Sequence, residues 1–466
     1  METKNLWEAY TPEETKTMLA FCEEYRRNLS AAKTERECVT EMIKMAEAKG
    51  YINLADALAA GKKLQAGDKV YANNKNKACA LFQIGKSGFD KGMAILGAHI
   101  DSPRLDLKPN PLFENDGFAM LKTHYYGGIK KYQWVTLPLA MHGVVVKKDG
   151  TAVSIVIGED PADPVLGITD VLPHFSKDQN QKPIAEAFTG EDMVISFGSA
   201  PLLPAEGEDK PKDPVKANVL KLLEEKYGIT EDDFISAELE IVPAGPARDY
   251  GIDRSMILGY GHDDRICGFT SLAAQLDMAD ILTDRTLCTL LVDKEEIGSV
   301  GATGMQSRFF ENTVADIMEL CGCYCELKLR RCLTDSKMLS SDVSNGFDPN
   351  FAGIHEKSNA PLLNHGPVLH KYTGSRGKSG SNDATPEYIG NLRAIFAADG
   401  INFQMAELGK VDGGGGGTIA YILAQYDMDV IDVGVPLHSM HAPYEVACKP
   451  DLYETYKAYK SFLLHI

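Results

Sequence analysis

A chain of 466 residues is too long for one ordinary domain, and 44% hydrophobic with 24% charged residues gives two or three domains ample core. Its net charge of −18 speaks against nucleic acid and anionic membrane surfaces as partners, since both are held through Lys and Arg. An acidic substrate would have to be drawn in by a local basic pocket, against the field of the whole chain.

No run of about 18 apolar residues offers a membrane span. The start, METKNLWEAYTPEET, is acidic and lacks the apolar core of a secretory signal. Ten cysteines scattered through a long chain point to a reducing cytoplasm rather than a disulfide framework. Thr11-Pro12-Glu13-Glu14 is a capping box with proline at the first helical position, so a helix starts there. A second helix is expected over 32–49, stopping at Gly50. Strands are expected over 78–84 and 93–99, the latter running into GAHIDSPRLDLKP.

From about Pro109 to Val242 the character changes. Strand-like runs at 144–147 and 152–157 alternate with turns such as GEDPADP and AEGEDKPKDP, and a helix over 214–227 closes the segment. This reads as an inserted β-rich domain, 109–242, within a domain made of 1–108 and 243–466. After Arg254, helices at 268–281 and 309–320 alternate with an apolar strand at 286–293. Such alternation predicts an α/β domain with a mostly parallel, helix-covered sheet.

Charged residues gather where these strands end. His99 and Asp101 stand two apart at a strand end, on one face, where a carboxylate orients a metal-binding imidazole. Gly261-His262-Asp263-Asp264-Arg265 precedes an apolar helix, where paired acids also serve as simple caps. LCTLLVDKEEIGS is an apolar run that stops at Glu295 and Glu296, and side chains alternating along a strand would send the two acids different ways. Ser340-Ser341-Asp342 follows another strand-like segment, and His438 and His441 follow the run 430–435. Open α/β sheets place their ligands at such strand ends. A mixed imidazole and carboxylate set suits zinc, with cobalt or manganese as substitutes. Two such ions sharing a carboxylate activate water, and a glutamate left off the metals serves as general base. The chemistry expected is amide hydrolysis without a covalent intermediate.

HIDSPRLDLKP, the Asp-Asp before a helix, DKEEIGS, SSDV and MHAPYE occur together and in this order. With TERECV near the N-terminus and YYGGIKKYQW at the start of the insertion, the chain resembles the aspartyl aminopeptidase family of co-catalytic zinc metallopeptidases over nearly its whole length. The resemblance implies an α/β catalytic domain with an inserted dimerisation domain, assembling through dimers into a dodecamer that encloses its active sites. It implies a peptide substrate, two divalent metals (Zn2+, with Co2+ or Mn2+ as alternatives), and a preference for N-terminal Asp or Glu. Carried onto this sequence, His99 and Asp342 hold one metal, Glu296 and His441 the other, and Asp263 bridges them. The Asp263–Asp264 peptide bond is then cis, Glu295 is the base and Asp101 orients His99. His174 is the kind of residue such a family sends into a neighbouring subunit's site.

The chain also departs from the family pattern. Tyr444 stands where an arginine is frequent, Asp348 where a histidine is frequent, and the substrate loop reads HKYTGSRGKSGSND. Arg376 and Lys378 in that loop are candidates to meet a substrate carboxylate, although exposed cations are mostly solvated. The five glycines 413–417, with Gly414 among them, lack the Gly-Lys-Ser/Thr of a phosphate loop. They suit close approach of a peptide backbone to the metals, or equally a plain turn. Cys321, Cys323 and Cys325 lack the spacing of a structural zinc site and are expected to be buried thiols. His355, His365, His370 and His438 receive no role. Two other readings remain: an N-acyl amino acid hydrolase on the same metal scaffold, and a catalytically idle self-assembling shell.

Overall fold

The computed structural model describes residues 4–204 and 209–466. Residues 205–208 of the expected turn AEGEDKPKDP lie outside the described residues, as do the first three of the N-terminal segment. The chain forms two compact units. One comprises Met1–Asp101, Ala247–Met440 and Glu445–Ile466; the other comprises Ser102–Pro246 and His441–Tyr444.

The first unit is built on a nine-stranded sheet. From edge to edge it runs Ile52–Asn53, Lys69–Asn74, Ala78–Gln83, Thr286–Val292, Met93–His99, Lys337–Ser341, Asp429–Gly434, Val368–His370 and Gln404–Met405. The four middle strands, Thr286–Val292 to Asp429–Gly434, pair in parallel. The strands on either side of them pair antiparallel. Every residue of Met93–His99 and Thr286–Val292 is buried, which is why both read as unbroken apolar runs. Alternate side chains enter opposite layers. Met93 and Ile95 pack with Phe310, Val314 and Ile317 of the helix Phe309–Leu320. Ala94 and Leu96 pack with Tyr459 and Phe462 of the helix Lys449–His465. A second, five-stranded sheet in this unit includes Met256–Gly259 and Glu445–Cys448.

Three local expectations are corrected. The helix expected from residue 32 runs Glu35–Ala48, because the Thr34/Glu37 capping box sets its start. The helix expected over 268–281 runs His262–Asp277. Asp263 and Asp264 are not caps before it but a non-helical break inside its first turn, with ψ of 109° and 27°; their peptide bond is cis. The glutamate pair does not end a strand. The strand stops at Val292, and Glu295–Ile297 forms a single 3-10 turn between Lys294 (φ 69°) and Gly298 (φ 96°), both left-handed. The two side chains therefore diverge through the rotation of a helical turn, not through strand alternation.

Where the sheet approaches the acids its backbone packs without slack. A Cβ added at Gly434, the last residue of Asp429–Gly434, would sit 1.7 Å from the carbonyl oxygen of Asp342. Both partners are main chain, so no rotamer relieves the clash. Gly434→Ala should destabilise the protein by at least the roughly 1–3 kcal/mol of ordinary overpacking and displace Asp342. Urea unfolding beside a zinc titration checks it, and wild-type values in both would contradict it.

The second unit carries a six-stranded sheet in the order Ala152–Ile157, Leu139–Val146, Ala237–Pro243, Arg104–Asn115, Phe118–Tyr126 and Val194–Gly198. All of its pairings are antiparallel. Asp116 and Gly117, at φ of 47° and 81°, make the two-residue turn between the longest strands, as Asp-Gly should. The helix Pro214–Tyr227 ends on left-handed Gly228 and buries Val215, Val219 and Leu223. Among the described residues, no helix is long and apolar enough to cross a membrane.

Candidate metal centre

The carboxyl ends of the parallel strands supply the cluster. His99 is the last residue of Met93–His99, Asp342 follows Lys337–Ser341, and Glu295 and Glu296 lie just beyond Thr286–Val292. Asp263 and Asp264 come from the break at the start of His262–Asp277. Among the described residues, three sets bring one potential ligand atom each to within 4.8 Å of one another: His99, Glu295 and Asp342; His99, Asp263 and Glu296; and Asp263, Asp264 and Asp342.

His99 is the hub. Its Nδ1 donates to the Asp101 carbonyl at 3.0 Å and lies 3.2 Å from Asp101 Oδ1. That fixes the tautomer and leaves Nε2 facing Asp263 Oδ1 at 3.2 Å and Glu295 Oε2 at 4.0 Å. Asp101 also accepts the backbone amides of Glu295 and Glu296, at 3.1 and 3.2 Å. One buried carboxylate thus positions the imidazole and the glutamate turn together. Asp263 is held from its other side, its amide donating to buried Glu445 at 3.0 Å.

The electrostatics ask for a cation. Burial would lower the His99 pKa, but Asp101 and Asp263 carry it well above the usual imidazole range. Asp342 is pushed well above the carboxylate range by burial and by its neighbours Asp264 and Glu295. Burial raises Asp264 as well, with Asp263 adding to it while His99 opposes. Both Asp264 carboxyl oxygens are buried without a conventional hydrogen bond, and the polar group beside them is the Cys267 thiol, a weak donor. Six crowded carboxylates, Asp101 included, around one imidazole are costly unless positive charge enters. Oxygen donors with an imidazole fit a borderline ion such as zinc, so the residues suit divalent metal.

Comparison with known proteins points the same way. The family model described as Aminopeptidase I zinc metalloprotease (M18) matches residues 28–463. The chain belongs to this family. A Clostridium acetobutylicum protein called "Probable M18 family aminopeptidase 1" is 60% identical over 462 residues, covering 99% of this chain and 98% of that one. The crystal structure of an M18 aminopeptidase from Thermotoga maritima superposes with a TM-score of 0.93 at 44% identity, over 100% of both chains. That of aminopeptidase I from Clostridium acetobutylicum gives 0.92 at 57% identity, over 99% of both.

Within this aminopeptidase I zinc metalloprotease chain, the other expected residues lie as follows. His441 falls in the second unit, where its Nδ1 donates to the Gly128 carbonyl at 2.9 Å. Tyr444 donates to the Ala244 carbonyl at 3.2 Å. His174 is exposed in a short 3-10 turn, Pro173–Phe175. Arg376 and Lys378 sit in an exposed, left-handed loop, and Lys378 is already paired with Asp383 at 3.0 Å and laid over the Tyr372 ring. Gly374–Ser375 pairs with Gly415–Gly416, so the glycine run and the Arg376 loop form one arm. Arg376 and Gly414 line a common cavity of about 480 Å3 there. Asp348 caps a 3-10 turn, accepting from Asn350. Cys325 is exposed and Cys321 and Cys323 are half-buried, against the expectation of buried thiols, because the segment lies at the junction of two surface helices. His370 is satisfied by Ser344 and the Ala406 carbonyl, and His438 by the Phe347 carbonyl.

Two site residues were not foreseen. The sequence gives Asp264 a place in the cis bond or as a cap, but no role for its side chain within the cluster. Glu445 lay within the motif MHAPYE, but nothing in the sequence tied it to Asp263.

Proposed function

We propose that this chain is an aminopeptidase that removes N-terminal residues from peptides with the help of two divalent metal ions, zinc foremost and cobalt or manganese as alternatives. The observation that carries this reading is the convergence of His99, Glu296 and Asp342 at the strand ends with Asp263 from the helix break, and Glu295 beside them.

In this reading His99 and Asp342 would hold one ion and Glu296 and His441 the other, with Asp263 available to both. The donation from His441 Nδ1 to Gly128 supports a tautomer with its lone pair on Nε2. Such ions supply Lewis-acid charge to the scissile carbonyl and lower the pKa of water. The chain's own part is proton transfer and alignment. The Glu295 carboxylate takes a proton from the attacking water and returns it to the departing amine. Asp101 keeps His99 and the glutamate turn in register. A carboxylate of the cluster not consumed by metal, Asp264 among them, suits the substrate's free ammonium group.

Arg376, Lys378, Gly414 and His174 are the candidates for substrate contact, and Arg376 is the better placed cation because Lys378 already has partners. Preference for N-terminal Asp or Glu depends on that loop. Self-association into dimers and a dodecamer is in keeping with the exposed apolar side chains Leu172, Phe175 and Ile184 in the second unit. Ten free thiols fit a cytoplasmic setting.

The test is a panel of aminoacyl reporters assayed with zinc, cobalt and manganese, each beside its N-acetylated counterpart. Turnover confined to free N-termini and lost with chelator is expected. Turnover confined to N-acyl substrates would establish the acylase instead, and none with any metal would leave a shell protein. A flat response to Asp and Glu reporters beside turnover of others would remove the acidic preference.

A further inference from the structure

The turn that carries Glu295 and Glu296 is held at two places. Asp101 takes their amides. Asp293, fully buried, stands directly after the strand Thr286–Val292 and leads into the turn. Its Oδ2 accepts the Thr303 hydroxyl at 2.5 Å and lies 3.5 Å from Lys294 Nζ. Lys294 donates to the same Thr303 hydroxyl at 3.0 Å, and the Asp293 amide donates to the Thr303 carbonyl at 3.3 Å. Residues 293, 294 and 303 therefore clasp the two ends of the loop that contains the glutamates.

A third member comes from outside this loop. Lys77, just before the strand Ala78–Gln83, is buried, with Nζ 3.8 Å from Asp293 Oδ2 and 3.2 Å from Glu35 Oε1. Glu35 opens the helix Glu35–Ala48 and is itself buried. The neighbouring hairpin reinforces the link, Asn74 donating to the Ala302 carbonyl at 2.8 Å. Two buried acids, Glu35 and Asp293, thus share the Lys77 ammonium, and Asp293 also meets Lys294. A buried carboxylate that loses a cationic neighbour is driven to take up a proton or to turn toward its remaining partners. Asp293 cannot turn without moving Lys294, and with it the glutamates.

We propose that Lys77, held by Glu35, is a positioning residue that sets the Glu295–Glu296 turn through Asp293. The inference rests on the metalloaminopeptidase reading for its activity readout, but not for its metal readout. Lys77→Met in the full chain should weaken zinc affinity, measured by competition with a chromophoric chelator, by about 10–100-fold. It should lower kcat over the same range while leaving KM little changed, since the loss falls on the reacting groups. Lys77→Arg, which keeps the charge, should recover most of both. A Lys77→Met protein that melts lower yet binds zinc and turns over like the wild type would overturn the proposal, leaving Lys77 a purely stabilising residue. If Lys77→Met does not fold, Thr303→Val removes the hydroxyl that Asp293 and Lys294 share. Weakened zinc binding in that variant is expected, and unchanged binding overturns the proposal. A wild type that binds zinc but cleaves no peptide would defeat the function alone, and the zinc comparison would still decide the role of Lys77.

Discussion

Glu295→Gln is expected to cut kcat by about 10²–10⁴-fold, the usual worth of a general base, while zinc content stays at the wild-type level. Glutamine keeps the size and the backbone amide that docks on Asp101 at 3.1 Å. It removes the negative charge and with it the ability to accept a proton. Glu296→Gln should behave differently, losing bound metal as well as turnover. The contrast is needed because both glutamates reach the cluster, Glu295 with His99 and Asp342 and Glu296 with His99 and Asp263. Steady-state kinetics with metal analysis on both variants checks the assignment. Metal loss in Glu295→Gln with retention in Glu296→Gln would exchange the two roles.

Asp263→Asn should have the second large effect, and its sign should depend on metal. With zinc present, losing the proposed shared ligand should remove bound ion and lower kcat/KM by at least about 10³-fold, since metal charge is worth several kcal/mol in the transition state. It should also lower the melting temperature, because binding at a thousand times Kd adds about 4 kcal/mol of stability. In chelator the order should invert. Without cations, Asp263 crowds Asp264 and Asp342, and its charge is among those that push both neighbours up. Asparagine removes that repulsion, so the metal-free variant should melt at or above the metal-free wild type. Calorimetry with and without zinc reads the crossing. A variant less stable than the wild type in both conditions would mean that Asp263 serves the fold rather than a metal.

What the sequence made legible follows from burial. Thr286–Val292 and Met93–His99 are covered on both faces, so each reads as an apolar run and its charged terminus stands out. Capping chemistry is equally local, and Thr11 with Glu14 caps its helix as expected. The conformations that aim the acids were hidden. The break at Asp263 and Asp264 and the single turn at Glu295 depend on backbone states, such as left-handed Lys294, that packing imposes on residues with no intrinsic taste for them. Also hidden were links that join distant segments: Glu445 to Asp263, and Glu35 through Lys77 to Asp293. Each looks in sequence like an ordinary surface charge. Exposure of Cys325 was missed for the converse reason, since a thiol carries no mark of which way its helix will face.

The carboxylate cluster is proposed to be a two-metal centre, and counting ions tests that most directly. Wild-type protein saturated with zinc, freed of excess and analysed for metal per chain, should hold two ions, with activity rising as they load and vanishing when they are stripped. One ion or none per chain at full peptidase activity would contradict it.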